Sequence, residues 1–135
     1  METTNLFKKM YLKCIEVLKK SGDLTEATER SQVVAAIMGA SGKIYTGINI
    51  GWWHSSCAEV TALSNAWQNG ERTMKYVMAV KLNKRTGEIE NITPCGICRE
   101  MFNNLQPEIE IVFVENGKFV SKTIEEMLPD IKKEK

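Results

Sequence analysis

The amino-acid sequence predicts an α/β fold in which helices pack on a mixed five-stranded sheet. Two observations indicate this class. Stretches with apolar residues at helical spacing alternate with short runs rich in Val, Ile and Tyr, and glycines stand at the expected turns between them. The 135 residues suit a single domain, 1–135, with a substantial core. The predicted order is α-β-β-α-β-α-β-β-α.

A helix, a hairpin and a second helix make up the first half of the predicted fold. Apolar residues recur at helical spacing from Asn5 to Lys20, and Cys14 on this stripe is interpreted as a small buried hydrophobic residue. The segment SQVVAAIMGASGKIYTGINI predicts two strands that turn at GASGK. Residues 57–69 are rich in helix formers and predict a helix that stops at Gly70.

The second half is predicted to be a strand, a helix, a hairpin and a short last helix. KYVMAVKL predicts the strand, and NKRTGE predicts a turn. A helix beginning near Pro94 is expected to carry three apolar side chains towards the core: Met101, Phe102 and Leu105. EIEIVFVENGKFVSK predicts a hairpin with Asn116 and Gly117 in a type I′ turn. A capping box from Thr123 to Glu126 then starts the last helix.

The composition argues against several classes of function. With 18 basic and 17 acidic residues the net charge is +1, so the chain lacks the excess of positive charge that binds nucleic acid. No apolar run approaches the roughly 18 residues of a membrane helix, and residues 1–20 lack the apolar core of a signal peptide. We therefore expect a cytoplasmic protein without nucleic-acid or membrane partners, whose four cysteines are thiols or metal ligands.

Three cysteines stand at the starts of two predicted helices. Cys57 opens one helix, and Cys95 and Cys98 in TPCGICRE occupy the first turn of another. The positive end of a helix favours the thiolate that a metal requires, and Arg99 beside Cys98 would also draw charge off the sulfurs. Three thiolates would bind Zn²⁺ and leave a fourth position for water. Glu59, close to Cys57, would direct its carboxylate at that water, which makes a hydrolytic site.

The same residues allow a structural zinc site as an alternative. His54, the only histidine, precedes Cys57 by three residues and would complete a Cys₃His set with the three cysteines. A chain with a sizeable core has less need of a metal to fold. The fixed offset of Glu59 from a predicted ligand favours catalysis, and His54 is interpreted as a loop residue near the pocket mouth.

CAE followed by PCGIC resembles the signature of the cytidine deaminase superfamily, which is a Cys or His, a Glu and a Pro-Cys-x-x-Cys. The resemblance runs from VVAAIMGASGKIYTGIN to the final helix. It implies a three-layer fold with helices on both faces of the sheet, Zn²⁺ as cofactor, Cys57, Cys95 and Cys98 as its ligands, and Glu59 as proton carrier. The hairpin at Asn116 resembles the branch that acts on free nucleosides. A small-molecule cytosine nucleoside and a homotetramer are also implied.

Within that branch, the sequence departs from common cytidine deaminases where the sugar and base are bound. Asn49 matches an Asn that holds the ribose. Three other positions differ: Gly51 stands in place of a Glu, Ser31 near the place of a Phe, and Val60 in place of an Arg. The short segment before Cys57 and the apolar Val60 resemble blasticidin S deaminases. Loose recognition of the sugar is therefore expected.

Substrate contacts are also expected at five positions, one of which is the predicted metal ligand Cys57. Backbone N–H groups at Cys57 and Ala58 would hold ring oxygens at the helix start, and the carbonyl of Thr93 would accept a hydrogen bond from the leaving amine. Asn49 either caps its strand or binds sugar. Core packing or subunit contact is the commoner role of large aromatic side chains such as Trp52 and Trp53; alternatively, Trp53 would stack on the pyrimidine in place of the missing Phe. The implied reaction is hydrolytic removal of the 4-amino group; a homologue that binds nucleosides without turnover is a further alternative.

Overall fold

The computed structural model describes residues 2–21, 32–50, 57–83, 86–93 and 96–127. The elements in chain order are α1 (Glu2–Ser21), β1 (Gln32–Gly39), β2 (Ile44–Ile48), α2 (Ala58–Gln68), β3 (Met74–Leu82), β4 (Ile89–Ile92), α3 (Gly96–Leu105), β5 (Glu110–Glu115), β6 (Lys118–Thr123) and α4 (Ile124–Met127). The structure confirms the predicted order of elements, except that β4 was not predicted. None of the helices in these described ranges is long and apolar enough to cross a membrane.

The mixed sheet has six strands, so the predicted number of five is wrong. Its main path is β2-β1-β3-β5-β6, in which β3 and β5 are parallel and the other neighbours are antiparallel. Strand β4 pairs antiparallel with residues 79–82 of β3, beyond the stretch that pairs with β5. Asn91 of β4 bridges the point of divergence, because its Nδ2 donates to the Ala79 carbonyl at 2.9 Å and its Oδ1 accepts from the Val114 N–H at 2.6 Å.

Apolar cores on the two faces of the sheet confirm the three-layer arrangement. Helix α1 covers one face with four buried side chains: Phe7, Met10, Cys14 and Leu18. Helices α2 and α3 cover the other face, where Ala62, Leu63 and Phe102 are buried. Cys14 is fully buried, and burial raises the pKa of its thiol to about 12, so it is the inert hydrophobic residue that was expected.

The predicted inward orientation of α3 holds for Phe102 but is wrong for Leu105. Phe102 is fully buried and Met101 packs against the core, whereas Leu105 is 47% exposed. The helix ends at Leu105, and the next residue, Gln106, turns its amide to β3 instead. Its Oε1 accepts from the Met74 N–H at 3.0 Å and its Nε2 donates to the Arg72 carbonyl at 2.7 Å.

The last hairpin and the last helix follow their local sequence signals. Asn116 and Gly117 have φ angles of 53° and 76°, as a type I′ turn requires. In the predicted capping box the Thr123 N–H donates to the Glu126 carboxylate at 2.9 Å, and the Glu126 N–H donates to the Thr123 hydroxyl at 3.2 Å. Strands β5 and β6 are therefore joined directly and run antiparallel.

The Glu71 carboxylate links the β1–β2 turn to the start of β3. It accepts hydrogen bonds from the Ser41 hydroxyl and from the Tyr45 hydroxyl, the latter at 3.3 Å. The bond from Ser41 is the main cause that lowers the pKa of Glu71 below its ordinary 4.5. A carboxylate with a lowered pKa stabilises the fold at pH values above 4.5, and this contribution is lost as the pH falls through the lowered pKa.

We therefore expect Glu71→Gln to lower the Tm at neutral pH, with the difference from wild type disappearing in acid. Thermal unfolding followed by circular dichroism measures the Tm of both proteins between about pH 3 and pH 7. This range covers the titration of ordinary carboxylates. Glu90→Gln, an exposed glutamate of β4, serves as the control and should leave the Tm unchanged. A Tm difference for Glu71→Gln that stays constant across this range would contradict the assignment.

Candidate active site

Cys57 caps the N-terminus of α2 with its backbone. Its φ of −71° and ψ of 151° are extended, and its side chain makes no capping bond to the described first turn. The Cys57 carbonyl instead accepts hydrogen bonds from the Thr61 N–H at 3.2 Å and the Thr61 hydroxyl at 3.3 Å. The half-buried thiol of Cys57 thus lies at the positive end of a helix, as the sequence predicted.

Helices α2 and α3 bring two predicted site residues into contact at their starts. Glu59 lies in the first turn of α2 and Cys98 in the first turn of α3, 39 residues later. The Cys98 Sγ and the Glu59 Oε1 are 3.9 Å apart, within reach of a weak S–H···O bond. Cys98 is fully buried and Glu59 is only 4% exposed, so the contact lies inside the molecule.

The Glu59 carboxyl has a raised pKa. Burial is the largest cause, and hydrogen bonds from its own backbone N–H and from the Cys98 thiol oppose it. A buried carboxylate is uncommon in structural roles, because desolvation disfavours its charged form. A raised pKa lies closer to neutral pH than that of an ordinary glutamate. A carboxyl with such a pKa is better suited both to accept and to donate protons.

The metal site predicted from the sequence lies only partly within the described residues. Cys57, Cys98 and Glu59 are described, whereas the third predicted sulfur ligand, Cys95, lies outside them. Across the described ranges there is no group of three Cys, His, Asp or Glu side chains arranged to hold a metal ion. The donors that are described, two thiols at helix N-termini beside a buried carboxyl, fit the sulfur-rich sets that bind zinc.

Besides Cys57, four substrate-binding residues were predicted, and three of them lie within the described residues. Asn49 follows β2, and its Oδ1 accepts a hydrogen bond from the Val33 N–H at 3.0 Å. Ala58 is buried as the first residue of α2, and Thr93 is exposed directly after β4. Trp53 lies outside the described residues. The bond from Val33 fits the strand-capping interpretation of Asn49, and its contact with the sugar stays a prediction.

Four further residues named from the sequence also lie outside the described ranges: Ser31, Gly51, Trp52 and His54. Arg99, predicted to balance the charge of the thiolates, is described, and its Nη1 donates to the Met127 carbonyl at 2.9 Å. Its guanidinium therefore joins α3 to the end of α4. The predicted effect of Arg99 on the sulfurs stays a prediction.

Gly47 and Asn65 hold the helix that carries Cys57 and Glu59, although the sequence analysis did not single them out. An ideal Cβ built on Gly47 would lie 2.3 Å from the Ala62 nitrogen of α2. Asn65 of α2 donates through Nδ2 to the Thr46 carbonyl of β2 at 3.1 Å. The signal available in the sequence was a glycine inside a predicted strand, which often marks close approach of another backbone.

Comparison with solved structures shows which class of fold carries this site. The crystal structure of cytidine deaminase from Bacillus anthracis matches 91% of this chain and 86% of its own, with a TM-score of 0.70 and 18% identity. Cytidine deaminase from Burkholderia pseudomallei matches 85% of this chain and 96% of its own, with a TM-score of 0.60 and 25% identity. The fold is therefore that of the cytidine deaminases.

Sequence comparison then assigns the family. Residues 6–115 match the model described as "Cytidine and deoxycytidylate deaminase zinc-binding region". Blasticidin-S deaminase from Bacillus cereus is 29% identical over 96% of both chains. Cytidine deaminase from Halalkalibacterium halodurans is 33% identical over 74% of this chain and 76% of its own. The chain belongs to the cytidine and deoxycytidylate deaminase family.

Proposed function

We propose that this protein is a zinc-dependent hydrolase that removes the 4-amino group of a cytosine nucleoside and releases ammonia and the uracil form. The observation that carries the proposal is the buried contact of 3.9 Å between the Glu59 carboxyl and the Cys98 sulfur, where two helices begin. Family membership and likeness to a blasticidin-S deaminase and a cytidine deaminase support the same reaction.

Cys57, Cys95 and Cys98 are the proposed zinc ligands. Three sulfurs satisfy the preference of zinc for thiolates and leave one of its four positions open. The helix N-termini at α2 and α3 favour negative charge on the sulfurs, and the neighbouring Arg99 is proposed to add to this effect. When bound, zinc supplies activation of water for attack at neutral pH.

Glu59 is the proposed proton carrier. Its carboxylate would accept a proton from the attacking water and deliver it to N3 of the ring, while the water oxygen bonds to C4. The proton of the new C4 hydroxyl would then pass through Glu59 to the amine, the C4–N bond would break as the C4 carbonyl forms, and ammonia would leave. The raised pKa that burial gives Glu59 supports this role, because the group must both take and give protons.

Asn49, Ala58, Thr93 and Trp53 are the proposed substrate contacts. The bond from Val33 holds the Asn49 amide at the end of β2, which supports its use as a fixed group beside the sugar. The N–H of Ala58 at the start of α2 would hold a ring oxygen. The Thr93 carbonyl would accept a hydrogen bond from the leaving amine, and Trp53 would stack on the ring.

An ammonia-release assay over a set of nucleosides tests both the reaction and recognition of the sugar. Gly51 stands in place of the Glu that grips the ribose, so we expect similar kcat/KM for cytidine, deoxycytidine and blasticidin S, or a preference for the bulky substrate. Adenosine and guanine should be inert. A preference for cytidine over its 2′,3′-dideoxy analogue of about 10⁴-fold, which a dedicated hydroxyl-binding site reaches, would contradict loose recognition.

A single domain, a cytoplasmic location and a homotetramer complete the proposal. The homotetramer follows from family resemblance, and one feature of the surface supports it. An open groove between α2 and α3 is lined by five apolar and three polar side chains, and the apolar Val60 and Leu105 are exposed. The lining residues are Val60, Leu63, Ser64, Trp67, Gln68, Arg72, Met101 and Leu105. Exposed apolar surface of this kind is often covered by another subunit.

A further inference from the structure

Gly47 lies directly against the first turns of α2. An ideal Cβ built on Gly47 would lie 2.3 Å from the Ala62 nitrogen and 2.8 Å from the Ala58 carbonyl oxygen. In an α-helix the N–H of residue 62 donates to the carbonyl of residue 58, so this Cβ would press on one hydrogen bond of the helix. Strand β2 reaches the backbone of α2 because residue 47 has no side chain.

The need for glycine at this position is one of space and not of backbone conformation. Gly47 lies within β2 and pairs with Ala35, one pair in from the end of the β1–β2 ladder. The glycines with φ in the left-handed region are elsewhere among the described residues: Gly42, Gly70, Gly87 and Gly117. Alanine at position 47 is therefore compatible with the local φ and ψ, and its effect comes from the collision.

The turn that rests on Gly47 is the turn that carries the site. Glu59 lies inside the stretch from Ala58 to Ala62, and Cys57 immediately precedes it. The bond of 3.1 Å from Asn65 Nδ2 to the Thr46 carbonyl holds the next turn of α2 against the same strand. Gly47 and Asn65 together form a clamp between β2 and α2, called the β2–α2 clamp below.

We infer that Gly47 is a positioning residue, because the β2–α2 clamp sets the separation between the Glu59 carboxyl and the Cys98 sulfur. The effect on catalysis rests on the function proposed above, whereas the effect on geometry does not. Displacing Gly47 would disrupt a pair of the β1–β2 ladder that has further pairs on both sides, so the helix yields. Restoring ordinary van der Waals contact then requires a shift of α2 of about 1 Å.

The test compares Gly47→Ala with Gly39→Ala. The control places a Cβ against the flexible side chain of Glu71, at the turn end of the same hairpin. We expect Gly47→Ala to change the distance of 3.9 Å between Glu59 and Cys98 in a crystal structure and to alter the visible absorption of the protein loaded with Co²⁺ alone. We expect kcat for cytidine to fall about 10-fold to 10²-fold, the cost of a 1 Å misplacement. Gly39→Ala should at most lower the Tm, and it should leave the distance between Glu59 and Cys98, the Co²⁺ spectrum and kcat unchanged.

A second pair of variants decides the question if Gly47→Ala does not fold. Asn65→Ala removes the bond to Thr46 together with a bond from Asn69, whereas the control Gln68→Ala removes only a bond to Ser64 near the end of the same helix. Asn65→Ala should shift the Co²⁺ spectrum and lower kcat in the same direction as Gly47→Ala but by less, and Gln68→Ala should do neither.

The outcomes separate this inference from the proposed function. A wild-type protein that releases no ammonia from any cytosine nucleoside would overturn the function, and the distance between Glu59 and Cys98 in the variants would still test the clamp. Unchanged geometry, Co²⁺ spectrum and kcat in a folded Gly47→Ala variant would overturn the inference alone. Equal spectra and kcat values for Asn65→Ala and Gln68→Ala would overturn it in the same way.

Discussion

Glu59→Gln should lower kcat for cytidine by at least about 10²-fold while the protein keeps its zinc, because the amide fills the same space but carries no proton between water and the leaving amine. Glu59 is 4% exposed and contacts the Cys98 sulfur, so the substitution alters the chemistry of a group already in place. Steady-state ammonia release gives kcat, and elemental analysis gives the zinc content of each preparation.

Glu108→Gln provides the matched control, since it makes the same change at an exposed residue just after α3. Its kcat should equal that of the wild type. If Glu59→Gln turns over cytidine at the wild-type rate with its zinc in place, Glu59 is not the proton carrier. Loss of zinc from Glu59→Gln would instead assign the carboxyl a role in holding the metal.

Cys98→Ser should abolish zinc binding and, with it, ammonia release. Cys98 is fully buried in the first turn of α3, and a serine hydroxyl is not among the usual ligands of zinc. Cys95→Ser is expected to behave in the same way. The purified wild type should contain one zinc ion per chain, measured by elemental analysis after dialysis against metal-free buffer.

Cys14→Ala is the control for a cysteine outside the site, because Cys14 lies on the buried side of α1, on the opposite face of the sheet. It should retain full zinc content. His54→Ala distinguishes an open site from a closed Cys₃His site and should also keep its zinc. Zinc lost from His54→Ala, together with an active Glu59→Gln, would favour the structural alternative; zinc retained by Cys98→Ser would refute the ligand assignment.

The sequence identified those elements whose signals are local. Asn116 and Gly117 specify the last turn, Thr123 and Glu126 specify the last cap, and Gly70 follows the end of α2, all as observed. Strand β4 was not predicted, because it has only four residues, two of them polar, and its pairing with β3 is set by the tertiary fold. Leu105 was assigned to the core by extending the helical period through a turn where the helix in fact ends.

The chemistry of the site was predictable, but its spatial support was not. The spacing of Cys57, Glu59 and Cys98 pointed to two helix starts, and the structure brings Glu59 and Cys98 into contact. A glycine inside β2 signals close approach of another backbone, but the sequence does not indicate that this backbone is the first turn of α2, because that contact depends on how β2 and α2 pack. Similarly, the bond from Arg99 to the Met127 carbonyl joins residues that are far apart in sequence.

Hydrolysis of cytidine in water enriched in heavy oxygen tests the central claim most directly. The zinc-loaded protein should release one ammonia for each cytidine consumed, and the uridine formed should carry one heavy oxygen at C4, as attack by water at that carbon requires. Removing the zinc with a chelator should stop the reaction, and adding zinc back should restore it. Fully zinc-loaded protein that releases no ammonia from cytidine, deoxycytidine or blasticidin S, or that forms product without oxygen from water, would contradict the account.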